Sequence, residues 1–109
     1  MFDNENILKN IVLIIDKLIK KSPLTKLYIQ SIRPVNAEKL LIDKSINTTI
    51  YRVNNELRNI CIEKKIIFID IHPDFLNKKG EMNSIYTYDG VHLTEQGYIL
   101  WSELLQTFL

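Results

Sequence analysis

The chain opens with a helical pattern of apolar and polar positions. Apolar side chains recur at steps of three and four, at Ile7, Leu8, Ile11, Val12, Ile14, Ile15, Leu18 and Ile19. Asp3 or Asn4 precedes the pattern as a candidate cap, and Ser22-Pro23 follows it as a stop. The pattern predicts an amphipathic helix whose wide apolar stripe lies against a sheet.

Two short segments have the composition of strands. Residues 26–32 are β-branched and aromatic and end before Pro34, and residues 66–71 form a nearly continuous apolar run before Pro73. A continuous run of this length is typical of a strand covered on both faces, as in a parallel sheet. We therefore predict two strands, with a loop containing some helical turn over residues 34–46.

Two more helices and a long loop complete the predicted order. One helix runs from Asn47 or Thr48 to residues 63–65, with apolar positions at Ile50, Val53, Leu57, Ile60 and Cys61. Residues 74–90 are polar and aromatic, with a turn signal at 77–80, and are predicted to form a surface loop. Thr94 is predicted to cap a final helix whose buried stripe is Leu100, Trp101, Leu104, Leu105 and Phe108.

Helices alternating with apolar strands predict an α/β fold with a parallel sheet and helices on both faces. The length of 109 residues suits a single domain spanning the chain. Two strands are too few for such a sheet, so either the true domain is larger or another molecule covers the exposed edge of residues 26–32. A homodimer through that edge is the expected assembly.

Charge and composition restrict the function classes. The 14 basic and 13 acidic residues nearly cancel, which argues against a nucleic-acid partner. No run of about 18 apolar residues is present and the N-terminus does not resemble a signal peptide, so we expect a cytoplasmic protein without a membrane partner. Cys61 is the single cysteine, which excludes an internal disulfide and suggests a buried structural role.

The residues best suited to chemistry are Asp89 and His92, three positions apart across a glycine-containing turn. Such a turn can bring a carboxylate onto an imidazole, where it fixes the tautomer and stabilises the imidazolium formed when the histidine takes a proton. The spacing alone is weak evidence. A polar turn that caps the last helix is the competing interpretation.

The surrounding residues, Tyr88-Asp89-Gly90-Val91-His92-Leu93-Thr94 with Gly97-Tyr98, resemble the last conserved block of the SGNH/GDSL hydrolases, the acetylhydrolase-like serine esterases and lipases. The segments 16–19, 28–36 and 68–70 are similar to that family's third-block helix, fourth strand and fifth strand, in the same order. The resemblance covers essentially the whole chain, as the C-terminal portion of the family's fold.

The resemblance implies a partial three-layer α/β/α, flavodoxin-like fold whose N-terminal strands are missing from this sequence. It also implies a small ester substrate, a serine nucleophile acting through an acyl-enzyme, and neither metal nor cofactor. Carried over by position, His92 is the general base and Asp89 the acid that orients it.

The sequence departs from the family where the nucleophile is expected. The family's serine stands in Gly-Asp-Ser and its oxyanion asparagine in Gly-x-Asn-Asp, whereas the three glycines here, Gly80, Gly90 and Gly97, all lie in the last third. One oxyanion donor alone is worth about 10²–10³ in turnover. We therefore expect a truncated or dissected esterase, almost inactive alone, or alternatively a non-catalytic dimerising or binding module of the same fold.

Ser31, His72 and an aromatic cluster each have a structural and a functional interpretation. Ser31 ends the first strand and is either a substitute nucleophile or, as we favour, a hydroxyl that caps the loop. His72 follows the second strand and is expected to bond to backbone or solvent rather than join Asp89 and His92 in a metal site.

The aromatic cluster Tyr86, Tyr88, Tyr98 and Trp101 either lines an acyl or sugar pocket or packs the loop onto the last helix. A third class, a small flavodoxin-like binding domain, is disfavoured because no glycine-rich phosphate loop is present.

Overall fold

A computed structural model describes residues 4–109. Its helices are α1 (Asn4–Lys21), α2 (Ala37–Leu40), α3 (Ser45–Lys64) and α4 (Glu95–Phe108), and its strands are β1 (Tyr28–Gln30) and β2 (Ile67–Ile69). Two single 3₁₀ turns, Pro73–Phe75 and Ser84–Tyr86, lie between β2 and α4. The predicted order of helix, strand, helix, strand, loop and helix is confirmed. The cap predicted at Asp3 or on the Asn4 side chain lies outside the described residues.

The two strands form a parallel pair in which Tyr28 is opposite Ile67 and Gln30 is opposite Ile69. The backbone amide of Ser31 continues this ladder by donating to the carbonyl of Ile69 at 2.9 Å. Because peptide groups alternate in direction along a strand, those of Tyr28 and Gln30 face the other edge. Within residues 4–109 no strand lies beside that edge of β1.

Helices cover both faces of the strand pair, as predicted. On one face, the Arg58 guanidinium of α3 lies 5.2 Å from the centre of the Phe68 ring. On the other, Trp101 of α4 donates its indole N–H to the Gln30 side chain at 2.8 Å. Gln30 and Phe68 point to opposite faces because they lie one position apart in register. The fold is therefore α/β with a helix, sheet and helix layer.

The first helix differs from its predicted environment. α1 packs along α3, and Ile15 of the predicted stripe is buried, whereas Ile14 and Leu18 are 57% and 46% exposed. Asp16 of α1 forms an ion pair with Lys64 of α3 at 2.9 Å. The prediction of a stripe laid against a sheet is therefore wrong for much of this stripe, which faces solvent in the described part of the chain.

The segment between β2 and α4 was predicted to be a surface loop, and this is wrong for its central residues. Phe75, Met82 and Thr87 are buried and join or border the core around Ile69 and Ile71. The segment is ordered by its 3₁₀ turns and by antiparallel bridges that pair residue 76 with 82 and residue 87 with 93. Because the segment is mostly polar, its sequence did not predict these buried contacts.

A buried hydrogen-bond network connects this segment to α2. The Glu81 carboxylate, 4% exposed, accepts from the Ala37 amide at 2.6 Å. The Asn36 side chain caps α2 by accepting from the Lys39 amide at 3.0 Å, and it donates to the Met82 carbonyl at 3.0 Å. The N-terminus of a helix carries a partial positive charge that stabilises a nearby carboxylate. Glu81 therefore holds the segment between β2 and α4 against the start of α2.

Cys61 is buried on α3, as predicted, and burial raises the pKa of its thiol. Most of the stripe predicted for α4 is also confirmed. Leu100, Trp101, Leu104 and Leu105 pack against the core, whereas Phe108 is 41% exposed at the helix end. Among the described residues, no helix is long and apolar enough to cross a membrane.

Candidate active site

The candidate site is the turn that precedes α4. Gly90 has a φ of +107°, a left-handed conformation that lets the chain reverse between Asp89 and His92. One oxygen of the Asp89 carboxylate accepts from the amides of Val91 at 2.9 Å and His92 at 2.8 Å. The aspartate therefore closes its own turn through backbone hydrogen bonds before it makes any contact with a side chain.

The second carboxylate oxygen of Asp89 lies 2.5 Å from Nδ1 of His92. An ionised carboxylate only accepts, so Nδ1 carries the proton and the lone pair is left on Nε2. The His92 side chain is 69% exposed, and its Nε2 makes no hydrogen bond within residues 4–109. The structure thus brings together the two residues predicted from their spacing. Their catalytic role stays a prediction.

The charge of Asp89 is strongly favoured. The backbone hydrogen bond from Val91 is the largest cause, followed by the His92 side chain and the His92 amide, and together they lower the carboxyl pKa to about 2. A carboxylate that accepts several N–H groups is ionised throughout the neutral range. Asp89 can therefore stabilise a positive charge on the neighbouring ring at neutral pH.

Thr87 stabilises the turn between Asp89 and His92 through its hydroxyl group. The sequence did not predict this role. Its hydroxyl donates to the His92 carbonyl at 2.7 Å and accepts from the Gly90 amide at 2.9 Å, and the residue is fully buried. One side chain thus joins the two ends of the turn. The position of a threonine two residues before an aspartate gave no signal, because the same spacing is common in loops without a site.

The turn is also attached to α2. Lys39 donates from Nζ to the Thr87 carbonyl at 2.8 Å, and the Asn36 amide donates to the Gly90 carbonyl at 2.9 Å. Gly90 is closely packed here, since a Cβ built on it would lie 2.6 Å from Cγ of Leu40 and 2.7 Å from the Asn36 carbonyl oxygen. Each of these contacts joins residues about fifty positions apart in the sequence. No local sequence pattern therefore predicts them.

The aromatic cluster is divided between the two roles considered for it. Tyr86 packs edge-on against Phe75 in the core, with ring centres 5.6 Å apart. Tyr88 is exposed and stacks on His92 at 6.0 Å with an angle of 18° between the rings. Tyr98 and Trp101 lie side by side on α4 with centres 6.3 Å apart. Tyr88 is therefore the aromatic ring that borders the imidazole.

Ser31 and His72 have structural hydrogen bonds, as favoured from the sequence. The Ser31 hydroxyl accepts from the amides of Ile71 at 2.9 Å and His72 at 3.1 Å, and the residue is 1% exposed. His72 is buried, with Nδ1 2.9 Å from the Ile32 carbonyl oxygen. Ser31 thus ties β1 to the end of β2 and does not present its hydroxyl to the Asp89–His92 turn.

This α/β fold is that of the GDSL-type hydrolases, as comparison with known families and structures shows. Residues 1–100 match the profile of the GDSL-like Lipase/Acylhydrolase family. The chain therefore belongs to this family.

Solved structures share the fold. A Streptococcus pneumoniae protein described as a platelet activating factor superposes with a TM-score of 0.87 and 27% identity, over 96% of this chain and 51% of its own. An acylhydrolase from Bacteroides fragilis has a TM-score of 0.82 and 24% identity, over 98% and 51% of the two chains. The esterase domain of a zebrafish retrotransposon ORF1 protein has a TM-score of 0.80 and 18% identity, over 99% and 60%. The chain thus spans about half the length of these structures.

The chain is also similar to part of several longer curated proteins. An N-acylneuraminate cytidylyltransferase of Escherichia coli O18:K1:H7 is 34% identical over 89 residues, which is 80% of this chain and 20% of the relative. Proteins of the same name from Streptococcus agalactiae are 33% identical over 63 residues, or 58% of this chain and 15% of theirs. The similarity is to one part of each relative.

Proposed function

We propose that this chain supplies the acid and base of a serine acyl-ester hydrolase, with His92 as the general base and Asp89 as the residue that orients and stabilises it. The observation that carries the proposal is the 2.5 Å contact between Nδ1 of His92 and the Asp89 carboxylate, with Nε2 exposed on the other side of the ring. A polar turn that only capped α4 would not need an imidazole at this position, because Thr94 already caps that helix by accepting from the Gly97 amide.

The chemistry follows from this arrangement. Nε2 of His92 takes the proton of a serine hydroxyl as the serine oxygen forms a bond to the ester carbonyl carbon. The imidazolium is stabilised by the Asp89 carboxylate and returns the proton to the departing alcohol when the ester bond breaks. Water then repeats the same proton transfers to release the acid from the acyl-enzyme.

We propose that the serine comes from a further polypeptide segment. The 109 residues contain neither Gly-Asp-Ser nor Gly-x-Asn-Asp, and Ser31 has its hydroxyl committed to two buried amides. The chain covers about half of the solved structures that it resembles. We therefore propose that the chain alone is almost inactive and becomes an esterase when the other half of the fold is joined to it.

The curated relatives suggest the alcohol part of the ester. Each is named for an N-acylneuraminate, which is a sugar acid carrying several hydroxyl groups and one carboxylate. An O-acylated sugar acid is therefore the first natural substrate class to test. An activated acetate ester serves as a general probe, since its hydrolysis needs no recognition of the alcohol.

A chimera tests the proposal. This chain replaces the half that it matches in the Bacteroides fragilis protein described as an acylhydrolase, and hydrolysis of 4-nitrophenyl acetate is measured for the chimera and for the 109-residue chain. We expect activity in the chimera alone, reduced on the order of 10³-fold by His92→Ala and by a similar or smaller factor by Asp89→Asn. A fluorophosphonate probe should label the serine of the chimera and leave the 109-residue chain unlabelled.

His72→Ala is the matched control, because His72 follows β2 and bonds to backbone. Its effect on kcat should be small once the loss of folded protein is corrected for. A chimera whose activity is unchanged by His92→Ala would refute the catalytic role. Hydrolysis by the 109-residue chain that His92→Ala abolishes would refute the need for a second segment.

A non-catalytic dimerising or binding module is the second candidate, and one observation favours it. The peptide groups of Tyr28 and Gln30 face an edge that no strand covers within residues 4–109. Such an edge pairs readily with another strand. The chimera separates the two candidates, because only the esterase proposal requires His92.

A further inference from the structure

A groove of about 440 Å³ lies at the carboxyl end of β1, beside the candidate site. Its lining includes Gln30, Arg33, Val91 and Trp101. Val91 is the residue between Gly90 and His92 in the turn, so one residue of the lining directly precedes the proposed base in the sequence. In parallel α/β sheets, ligands bind at the carboxyl ends of the strands, which is where this groove lies.

Arg33 is the charged residue of this groove and is only partly exposed. Its guanidinium centre lies 5.7 Å from the centre of the Trp101 ring. That ring is itself held by the hydrogen bond from its indole N–H to Gln30. The guanidinium therefore rests on an aromatic surface that is fixed to β1.

Arg33 makes no ion pair with a carboxylate in residues 4–109, unlike Arg58, which binds Asp70 at 2.6 Å. Burial lowers the pKa of Arg33, partly opposed by the nearby Tyr98. A cation removed from water is normally paired with an anion. Arg33 therefore has the aromatic contact and the partial burial that are typical of an arginine that binds an anion. It has no carboxylate partner among residues 4–109.

We propose that Arg33 binds the carboxylate of the substrate, and that this contact holds an acylated sugar acid in the groove with its ester at His92. The proposal rests on the esterase function above and gives it a substrate class. A planar guanidinium can hold a carboxylate through two parallel hydrogen bonds, which also fixes the orientation of the ligand. A lysine at the same position would keep the charge and lose this geometry.

Binding to the 109-residue chain tests the proposal without turnover. N-acetylneuraminic acid and its methyl ester are titrated into ¹⁵N-labelled protein, because the two differ only in the masked carboxylate. We expect the acid to shift the signals of the Trp101 indole N–H and the Val91 amide, with the methyl ester binding about tenfold more weakly. Arg33→Met should abolish the preference for the acid, and Arg33→Lys should retain a part of it.

Arg52→Met is the matched control, since Arg52 is an exposed arginine on α3 outside the groove. It should leave both titrations unchanged. Equal binding of the acid and its methyl ester, no shift with either, or an unaltered preference in Arg33→Met would each overturn the proposal. None of these results would affect the esterase proposal, which is tested by His92→Ala in the chimera.

Discussion

Asp89 uses its two carboxylate oxygens for different purposes. One oxygen accepts the amides of Val91 and His92 and shapes the turn, and the other holds Nδ1 of the His92 ring. The same group therefore determines where the imidazole stands and which nitrogen keeps the proton. Because its pKa is lowered to about 2 from an ordinary value of 3.8, its ionised form is favoured by folding.

This shift predicts how stability depends on pH. A carboxyl group with a lowered pKa stabilises the fold above its ordinary pKa, and that contribution is lost as pH falls from about 4 towards 2. In Asp89→Asn the contribution is absent at every pH, so its urea-unfolding midpoint should change less than that of the unaltered chain between pH 4 and pH 2. Carbon NMR of the Asp89 carboxyl should give a titration midpoint of about 2.

Asp43 provides the control at the same scale. Hydrogen bonds from Ser45 also lower its pKa, yet it precedes α3 and has no contact with the imidazole. Asp43→Asn should flatten the same part of the stability curve and leave the ¹⁵N signals of the His92 ring unmoved, whereas Asp89→Asn should move the Nδ1 signal. Equal effects of the two variants on that signal would contradict the described contact.

The residue scale is also where the sequence was both most and least informative. The contact between Asp89 and His92 could be predicted because it is made across three positions of one turn. The roles of Thr87 and Lys39 could not, since Lys39 reaches the turn from another element and Thr87 acts through backbone groups. Local spacing carries short-range geometry, and contacts between distant segments leave no such record.

The same division holds at the scale of elements. The long helices were predicted to within a few residues because their apolar periodicity is strong, and α3 begins at Ser45 rather than Asn47 or Thr48. The segment 74–90 was misassigned as a surface loop because its buried polar residues read as solvent-exposed. Glu81 is the clearest case: its burial is compensated by the amides at the start of α2.

The attachment of the turn to α2 predicts a large difference between two glycine substitutions. Gly90→Ala places a Cβ against Leu40 and the Asn36 carbonyl oxygen, whereas a Cβ on Gly80 has no atom within 4 Å. Both glycines have positive φ, +107° and +78°, so both variants carry a backbone cost of about 1–2 kcal/mol. The free energy of unfolding in urea should fall by roughly 2 kcal/mol more for Gly90→Ala. Equal losses would mean that the turn does not depend on its packing against α2.

At the scale of the whole molecule, the α1 stripe and one edge of β1 both leave surface uncovered within residues 4–109. Ile14 and Leu18 of the α1 stripe are 57% and 46% exposed, and within residues 4–109 no strand pairs with the peptide groups at the outer edge of β1. An exposed apolar stripe and an open edge together favour association. We propose that the 109-residue chain forms a homodimer through this edge and the α1 stripe.

Sedimentation equilibrium at micromolar concentrations tests the dimer. Ile14→Lys combined with Leu18→Lys should yield a monomer, because two charges would be buried in the interface. Ile62→Lys is the control, since Ile62 is 70% exposed on α3 rather than on the α1 stripe. An unaltered chain that sediments as a folded monomer at every concentration would end this proposal.

The edge of β1 cannot serve two partners at once, which connects the assembly to the function. If the segment that carries the nucleophile adds its strands to this edge, the peptide groups of Tyr28 and Gln30 are already paired in the complete esterase. The chimera with the Bacteroides fragilis half should therefore sediment as a monomer under conditions in which the 109-residue chain is a dimer. Tyr28→Pro removes the peptide N–H of that residue. In the chimera this substitution should lower esterase activity in parallel with the amount of folded protein. An active chimera that still dimerises through residues 28–30 would show that the nucleophile segment docks elsewhere.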